Sequence, residues 1–213
     1  ADFLSWFTVM EKKFKISTAY PEIDLLVVDI RSNPTLLSVN GPQTAEELLE
    51  IFKLKTVEEL EEAIAALDKG DIQSARTFTY EGLYYYRTFH PSVEEKLGSE
   101  SANKLLHLME SALDVTTSDK PIDVIKADLE DISENVELII RQYEGGDTSE
   151  IGLALSGIKD RLNLVEVEYL DAVKDGKIIN QVEYDETVVF LTKATEIFNN
   201  NKMTLMELSN SDV

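Results

Sequence analysis

The sequence predicts an all-α fold, an antiparallel up-and-down helical bundle of four or more main helices. Apolar residues recur at steps of three and four along most of the chain, which is the period of an amphipathic helix. Capping motifs and glycine-containing turns separate these stretches by only a few residues. Helices joined by short connections pack as antiparallel neighbours, and the absence of a fixed internal period argues against a helical repeat array.

The chain of 213 residues is long enough to bury a sizeable core, and its loop signals divide it into three parts. Residues 1–43 are predicted to be an N-terminal helix and loop segment packed on the bundle. Residues 44–200 form the bundle itself, in two helical halves over 44–114 and 121–200. Residues 201–213 are a tail that we expect to fray, because the chain there has few capping residues and follows a run of asparagines.

A first helix is predicted over residues 2–16, where large apolar side chains are three or four positions apart. These side chains are Phe3, Phe7, Met10 and Phe14. Pro21 then precedes the apolar run 23–30, which fits either one buried helix or a strand, because its length does not separate the two. Two strong loop signals, Asn-Pro and Asn-Gly-Pro, predict a surface connection over residues 31–43.

Two capping boxes mark predicted helix starts in the first half of the bundle. Thr44 and Thr56 are each followed three residues later by a glutamate, which predicts helices over 44–53 and 57–69. On the second of these helices we expect apolar side chains to face the core and acidic side chains to face solvent. The inward set is Val57, Leu60, Ile64 and Leu67, and the outward set is Glu58, Glu59, Glu61 and Glu62.

The next helices are placed by glycine and proline. A Lys-Gly-Asp turn ends the helix at residue 69, and a further helix is predicted to reach about Phe89, before His90 and Pro91. A short capped turn then ends at Gly98, and another helix covers residues 101–113.

The longest periodic patterns lie in the second half. One apolar series predicts a helix over residues 122–143, which a Gly-Gly pair ends. A second helix has an apolar face formed by Ile151, Leu155, Ile158, Leu162, Val165, Tyr169 and Ala172. Asp175-Gly176 then supplies a left-handed turn, and Asn180 with Glu183 caps a last helix. That helix carries Tyr184, Val188, Leu191 and Phe198.

Composition excludes several classes of function. Forty-one acidic and twenty basic residues give a net charge of −21, which repels nucleic acids and anionic membrane surfaces and attracts cations. The chain has no cysteine, which excludes disulfides, thiolate metal sites and cysteine nucleophiles. No apolar run approaches the roughly 20 residues that cross a bilayer, so direct membrane insertion is not expected.

Three glutamates of the predicted helix at 122–143 are candidate metal ligands. Glu130, Glu134 and Glu137 lie with Asp123 along one stripe of the helix, opposite its apolar face. Carboxylates placed in this way can bind a hard cation. The alternative is a solvated helix face, on which Arg141 forms an ion pair with Glu137 one turn away.

His107 and Glu110 form a second candidate metal site, since they lie one turn apart on the polar side of a predicted helix. The alternative is a surface histidine without a ligand role. The sequence contains no phosphate-binding loop, dinucleotide fingerprint, nucleophile elbow or zinc-protease motif. With two histidines and no cysteine, the chain is predicted not to be an enzyme.

Two stretches resemble a known family. Residues 169–180 read YLDAVKDGKIIN, with Glu183-Tyr184 and Phe190 following, all within the stretch 164–191. This stretch resembles one in the extracytoplasmic helical domains of the high-affinity iron permease family. Residues 66–97 are similar to another helix pair of those domains.

The resemblance implies an extracytoplasmic helical domain, periplasmic or at the cell surface, that is associated with iron uptake. We expect this domain to be non-enzymatic and, because its faces are acidic, to bind cations weakly. Its implied partner is a membrane transporter or a second copy of itself, and iron or another cation is the candidate ligand. Transport by this chain is not implied, because the Arg-Glu-x-x-Glu motifs of the permease are missing: the sequence has no Arg-Glu dipeptide. The alternative is a structural or protein-interaction module of the cell surface with no metal role.

Overall fold

The computed structural model describes the backbone of residues 2–211 and the side chains of residues 7–207. The chain is 88% helical, with nine α-helices and two short strands in the part described, so the predicted all-α bundle is confirmed. It divides into two compact units, Ala1–Phe52 and Lys53–Val213. The predicted organisation into segments, with residues 1–43 packed on the bundle, stays a prediction.

The first unit contains three short helices and the start of a long one. They are α1 (Asp2–Phe14), α2 (Ile16–Ala19), α3 (Pro21–Ser32), a 3-10 helix (Pro34–Leu36) and the beginning of α4 (Leu37–Asp68). The apolar run 23–30 is helical. Pro21 stands in the first turn of α3, where its missing N–H costs no hydrogen bond, and Ile23, Val27 and Ile30 form the buried face of that helix.

The core of the first unit joins these elements. Its buried members are Phe7, Ile16, Ile23, Val27 and Ile51, with Met10, Phe14, Tyr20 and Leu48 packed against them. The predicted contribution of Phe3 lies outside the side chains that the structure describes.

The predicted surface connection over residues 31–43 is wrong at its C-terminal end, because α4 already begins at Leu37. The predicted helix starts at Thr44 and Thr56 are wrong for the same reason, since both residues lie inside α4. The Thr44 hydroxyl donates to the Asn40 carbonyl across 2.7 Å, which is the bond of a threonine within a helix. Pro42 lies inside α4, where it has no N–H to donate to the Ser38 carbonyl one turn earlier.

The second unit continues α4 and adds five long helices. They are α5 (Ile72–Leu97), α6 (Ser99–Thr117), α7 (Ile122–Glu144), α8 (Glu150–Ala172) and α9 (Gln181–Ser211). The predicted break before Pro91 is wrong, because α5 continues through it to Leu97. The last helix remains regular to Ser211, beyond residue 201, where we expected fraying to begin.

Most predicted turns are confirmed, because they depend on local backbone geometry. Gly145 ends α7 with φ 71°, in the left-handed region that glycine adopts at low cost. Asp175 and Gly176 have φ values of 51° and 72° and connect two antiparallel two-residue strands, β1 (Val173–Lys174) and β2 (Lys177–Ile178). This small hairpin joins α8 to α9.

Within the second unit, α4 has buried side chains on nearly all of its sides. The expectation that its four glutamates face solvent is therefore wrong: Glu58, Glu59, Glu61 and Glu62 are 1%, 6%, 5% and 7% exposed. On one side α5 approaches closely, since a Cβ on Gly82 would lie 3.1 Å from the Glu59 Cβ. Charged contacts join α4 to α7 and α8.

The hairpin of α8 and α9 presents much of its apolar surface to solvent. Leu155, Leu162 and Tyr169 are about half exposed, so the predicted inward series on α8 is wrong at these positions. Arg161 and Glu168 are buried instead. Small residues on the buried face, including Gly157, allow α8 to pack closely, and the buried charges have partners on neighbouring helices.

Candidate metal centre

Five glutamates from three helices converge in the second unit. The carboxylate oxygens of Glu58, Glu62 and Glu186 lie within 4.8 Å of one another, and those of Glu168, Glu183 and Glu186 satisfy the same limit. We call these five residues the carboxylate cluster. Glu186 belongs to both groups and connects them, so α4, α8 and α9 meet at one concentration of oxygen ligands.

Helical spacing explains how α4 and α9 contribute. Glu58 and Glu62 are four residues apart on α4, and Glu183 and Glu186 are three apart on α9, so each pair lies on one face of its helix. The first two residues are buried, and the other two are half-buried. Each pair therefore presents two carboxylates in the same direction.

The turn before α9 positions Glu183. The predicted Asn180 cap is confirmed, since the Val182 N–H donates to Asn180 Oδ1 across 3.2 Å. The Asn180 side-chain amide in turn donates to Glu183 Oε1 across 3.3 Å. Because the hairpin between α8 and α9 is short, the last turns of α8, which carry Glu168, lie next to the first turns of α9.

Lys55 supplies positive charge to the carboxylate cluster. Its ammonium donates to Glu58 Oε1 across 2.6 Å and to Glu168 Oε1 across 3.2 Å, and so connects α4 to α8. Burial opposes the charge on Lys55, but these two carboxylates outweigh it and raise the pKa of Lys55 well above its usual value. One ammonium compensates only part of the negative charge that the cluster carries when its acids are ionised.

Burial is the main influence on the acids of the cluster. It raises the pKa of Glu58 to about 7, against the opposing effect of Lys55. Burial and then the neighbouring Glu183 raise the pKa of Glu186 to about 8. The pKa of Glu62 is also raised strongly, by burial and then by Glu58 and Glu186. Ionised carboxylates this close in a buried site repel one another, and a bound cation would relieve that repulsion.

One oxygen in the cluster has no hydrogen-bond donor. Glu58 Oε2 is buried and unpaired among the residues whose side chains the structure describes, while Glu58 Oε1 accepts from Lys55. A buried carboxylate oxygen without a donor is costly unless a ligand satisfies it. The donor set consists of carboxylate oxygens, which suit hard cations.

A separate buried ion group lies nearer the N-terminus of α8. Arg161 Nη2 donates to Glu137 Oε1 across 2.7 Å and also contacts Glu61 on α4. Its Nη1 donates to the Gly157 carbonyl across 3.0 Å. Glu137, one of the predicted metal ligands, therefore already has a positively charged partner.

The other two predicted ligands on α7 lie on the same groove as Glu137. Glu130, Glu134 and Glu137 line a cavity of about 740 Å³ together with residues of α4 and α9. Glu130 also faces Lys126, with 3.7 Å between Oε1 and Nζ. Within residues 7–207 these glutamates do not belong to either converging group, so their metal role stays a prediction.

His107 and Glu110 are near each other at the surface. His107 Nδ1 lies 3.4 Å from Glu110 Oε2, and Arg87 Nη2 lies 3.6 Å from Glu110 Oε1. The His107 side chain is 78% exposed. This pair also lies outside both converging groups in the described part of the chain, and its metal role stays a prediction.

The sequence carried no signal for the cluster. Glu58, Glu59, Glu61 and Glu62 lie within less than half of the circumference of α4, which is the pattern of the solvent face of an amphipathic helix. Their burial depends on the helices that pack around α4.

The chain shares one segment with a known family. Residues 144–212 match the family model of the iron permease-associated 4-helix bundle domain. These residues contain α8, α9 and the whole of the stretch 164–191 that suggested this family, so that resemblance is confirmed. Residues 66–97 lie outside the match.

The matched residues 144–212 contribute Glu168, Glu183 and Glu186 to the cluster, and α4 contributes the other two acids. No curated protein and no solved structure matches the chain. Among the described residues, every helix is too short or too polar to cross a bilayer. The matched model describes an iron permease-associated bundle domain, which is not a known enzyme family.

Proposed function

We propose that the chain is a non-enzymatic, extracytoplasmic domain of an iron-uptake system and that it binds a cation at the carboxylate cluster. The convergence of five carboxylates from three helices carries this proposal. The match of residues 144–212 to the iron permease-associated 4-helix bundle domain supports the link to iron uptake.

The electrostatics of the cluster favour cation binding over a purely structural role. Glu58 is 1% exposed, and one of its two oxygens has no donor in the described part of the chain. A multivalent cation coordinated by Glu58, Glu62 and Glu186 would satisfy that oxygen and screen the repulsion among the carboxylates. The net charge of −21 also raises the local concentration of cations around the protein.

Calorimetric titration with calcium, ferrous and ferric ions tests this function. We expect saturable binding with a fixed stoichiometry in the natural protein and its loss in Glu58→Gln with Glu186→Gln. The matched control is Glu130→Gln with Glu134→Gln, which removes the same formal charge from the groove on α7 and should retain binding. Diffuse binding that salt abolishes, or loss in the control variant alone, would refute the cluster as the site.

The alternative function is that of a protein-interaction module. The exposed apolar side chains Leu155, Leu162 and Tyr169 on α8 favour it, because a row of apolar residues on one helix face is a common docking surface. Its proposed partner is a membrane transporter or a second copy of the chain. The test is Leu155→Ser with Leu162→Ser, with self-assembly measured by light scattering and partner binding measured by co-purification with a permease. If the substitutions abolish either interaction and the natural protein binds no cation, this alternative replaces the first proposal.

The extracytoplasmic location is part of the same proposal. Cell fractionation of the full native gene product tests it: we expect the domain in the periplasmic or cell-surface fraction. Recovery in the cytosol would refute the location without affecting cation binding.

A further inference from the structure

Lys55 occupies a position that a bound cation would need. Its ammonium lies between Glu58 and Glu168, which belong to the two different converging groups, at 2.6 Å and 3.2 Å from their oxygens. Metal ions bind carboxylate oxygens at about 2.0 to 2.6 Å, which is close to the shorter of these two distances. An ammonium and a metal ion could not both contact the same oxygens without strong repulsion.

We propose that Lys55 is a competing internal counter-ion: a multivalent cation binds the carboxylate cluster by displacing the Lys55 ammonium from Glu58 and Glu168. This inference rests on the proposed function and adds that Lys55 sets the affinity of the cluster for its cation. Lys55 carries one charge, so it compensates the cluster only in part. A divalent or trivalent cation compensates more and competes successfully.

Two features of the site make displacement feasible. The Lys55 side chain is 19% exposed, so its flexible stem has a path to solvent, whereas Glu58 is 1% exposed and stays in place. In addition, Glu58 Oε2 has no donor among the described residues, so an incoming cation has an oxygen to bind before Lys55 leaves Oε1.

Calcium titration of Lys55→Met tests the competition. Methionine keeps much of the length of the side chain and removes its charge, so we expect calcium to bind at least about tenfold more tightly than in the natural protein. Lys120→Met is the matched control, because Lys120 forms an exposed pair with Asp128 at 2.6 Å and its removal changes the net charge equally. Its calcium affinity should change by less than about twofold.

Acylation of lysines in the natural protein tests displacement without any substitution. Mass spectrometry should find labelling of Lys55 increased several-fold at saturating calcium, with labelling of Lys120 unchanged. If the natural protein binds calcium but Lys55 labelling does not rise, or folded Lys55→Met binds no more tightly, the competing role of Lys55 is refuted. If neither protein binds calcium, ferrous or ferric ions with a fixed stoichiometry, the proposed function itself fails.

Discussion

Arg161 on α8 donates to Glu137 on α7 across 2.7 Å. The same guanidinium contacts Glu61 on α4, so a single buried cation links three helices of the second unit. An intact buried ion group of this kind adds little to the free energy of unfolding compared with apolar residues at the same positions. Removal of one partner, however, leaves an uncompensated buried charge.

Removal of Arg161 should therefore destabilise the fold. We expect Arg161→Met to lower the free energy of unfolding by about 3 to 5 kcal/mol, because Glu61 and Glu137 lose their partner. Adding Glu61→Gln should restore part of the loss. Urea denaturation measures both variants, with Lys120→Met as an exposed-pair control that should cost about 1 kcal/mol or less. A loss as small as that of the control would contradict the structural role of the ion group.

Gly157 makes room for the Arg161 guanidinium. A Cβ at this position would lie 2.9 Å from Arg161 Nη1, a group held in place by its acidic partners. Gly157→Ala should thus destabilise the natural protein, although alanine is favoured over glycine in a helix by about 1 kcal/mol. In the Arg161→Met background the same substitution should become neutral or stabilising. A double-mutant cycle in urea tests this, and equal effects in both backgrounds would contradict it.

Stability of the metal-free protein should fall as pH rises from about 5 to about 8. Burial raises the pKa of Glu58 to about 7 and that of Glu186 to about 8 in the folded chain, above the value of 4.5 for a free side chain. Between these values the folded state binds more protons than the unfolded state. The stabilisation is present in full below pH 4.5 and is lost as pH rises through the folded-state values.

Urea midpoints measured between pH 5 and pH 9 in a chelating buffer check this dependence. Glu58→Gln with Glu186→Gln should reduce the slope, because neither replacement titrates, while Glu61 and Glu168, whose pKa burial raises to about 7, keep part of it. The control Glu130→Gln with Glu134→Gln should keep the slope. An increase in stability over this range in the natural protein would contradict the burial of the ionisable groups.

Asn180 should affect cation binding through the position of Glu183. Asn180→Ala removes the cap of α9 and the contact with Glu183 Oε1, so we expect a loss of about 1 kcal/mol in stability and weaker calcium binding. Ser149→Ala is a matched control, since Ser149 caps α8 by accepting from the Gly152 N–H across 3.2 Å. It should cost similar stability and leave the calcium affinity unchanged. Equal effects of the two substitutions on binding would contradict the positioning role of Asn180.

The sequence predicted local features well because they depend on a few neighbouring residues. Turns at Gly145 and Asp175-Gly176 follow from the ability of these residues to adopt positive φ, and the Asn180 cap follows from a short side chain before a helix. The apolar series of α7 from Ile125 to Tyr143 is buried as its period predicts. The capping box at Thr44 failed, because the same residue types also occur inside helices.

The cluster could not be predicted, because burial of a charged side chain depends on tertiary partners. Glu58 is buried where Lys55 and α8 contact it. Glu61 is buried where it contacts Arg161, one hundred positions later in the chain. A helical period assigns acids to the solvent face and apolar residues to the core. On α8 the reverse holds at Glu168 and Leu162, where charge pairing and close packing decide which side faces inward.

The central claim is that the carboxylate cluster binds a cation, and an anomalous difference map from crystals soaked in manganese chloride tests it most directly. We predict a peak within coordination distance of the carboxylates of Glu58, Glu62 and Glu186, with the Lys55 ammonium moved away. Peaks found only beside Glu130 and Glu134 or elsewhere on the surface, with Lys55 still bonded to Glu58, would contradict the claim.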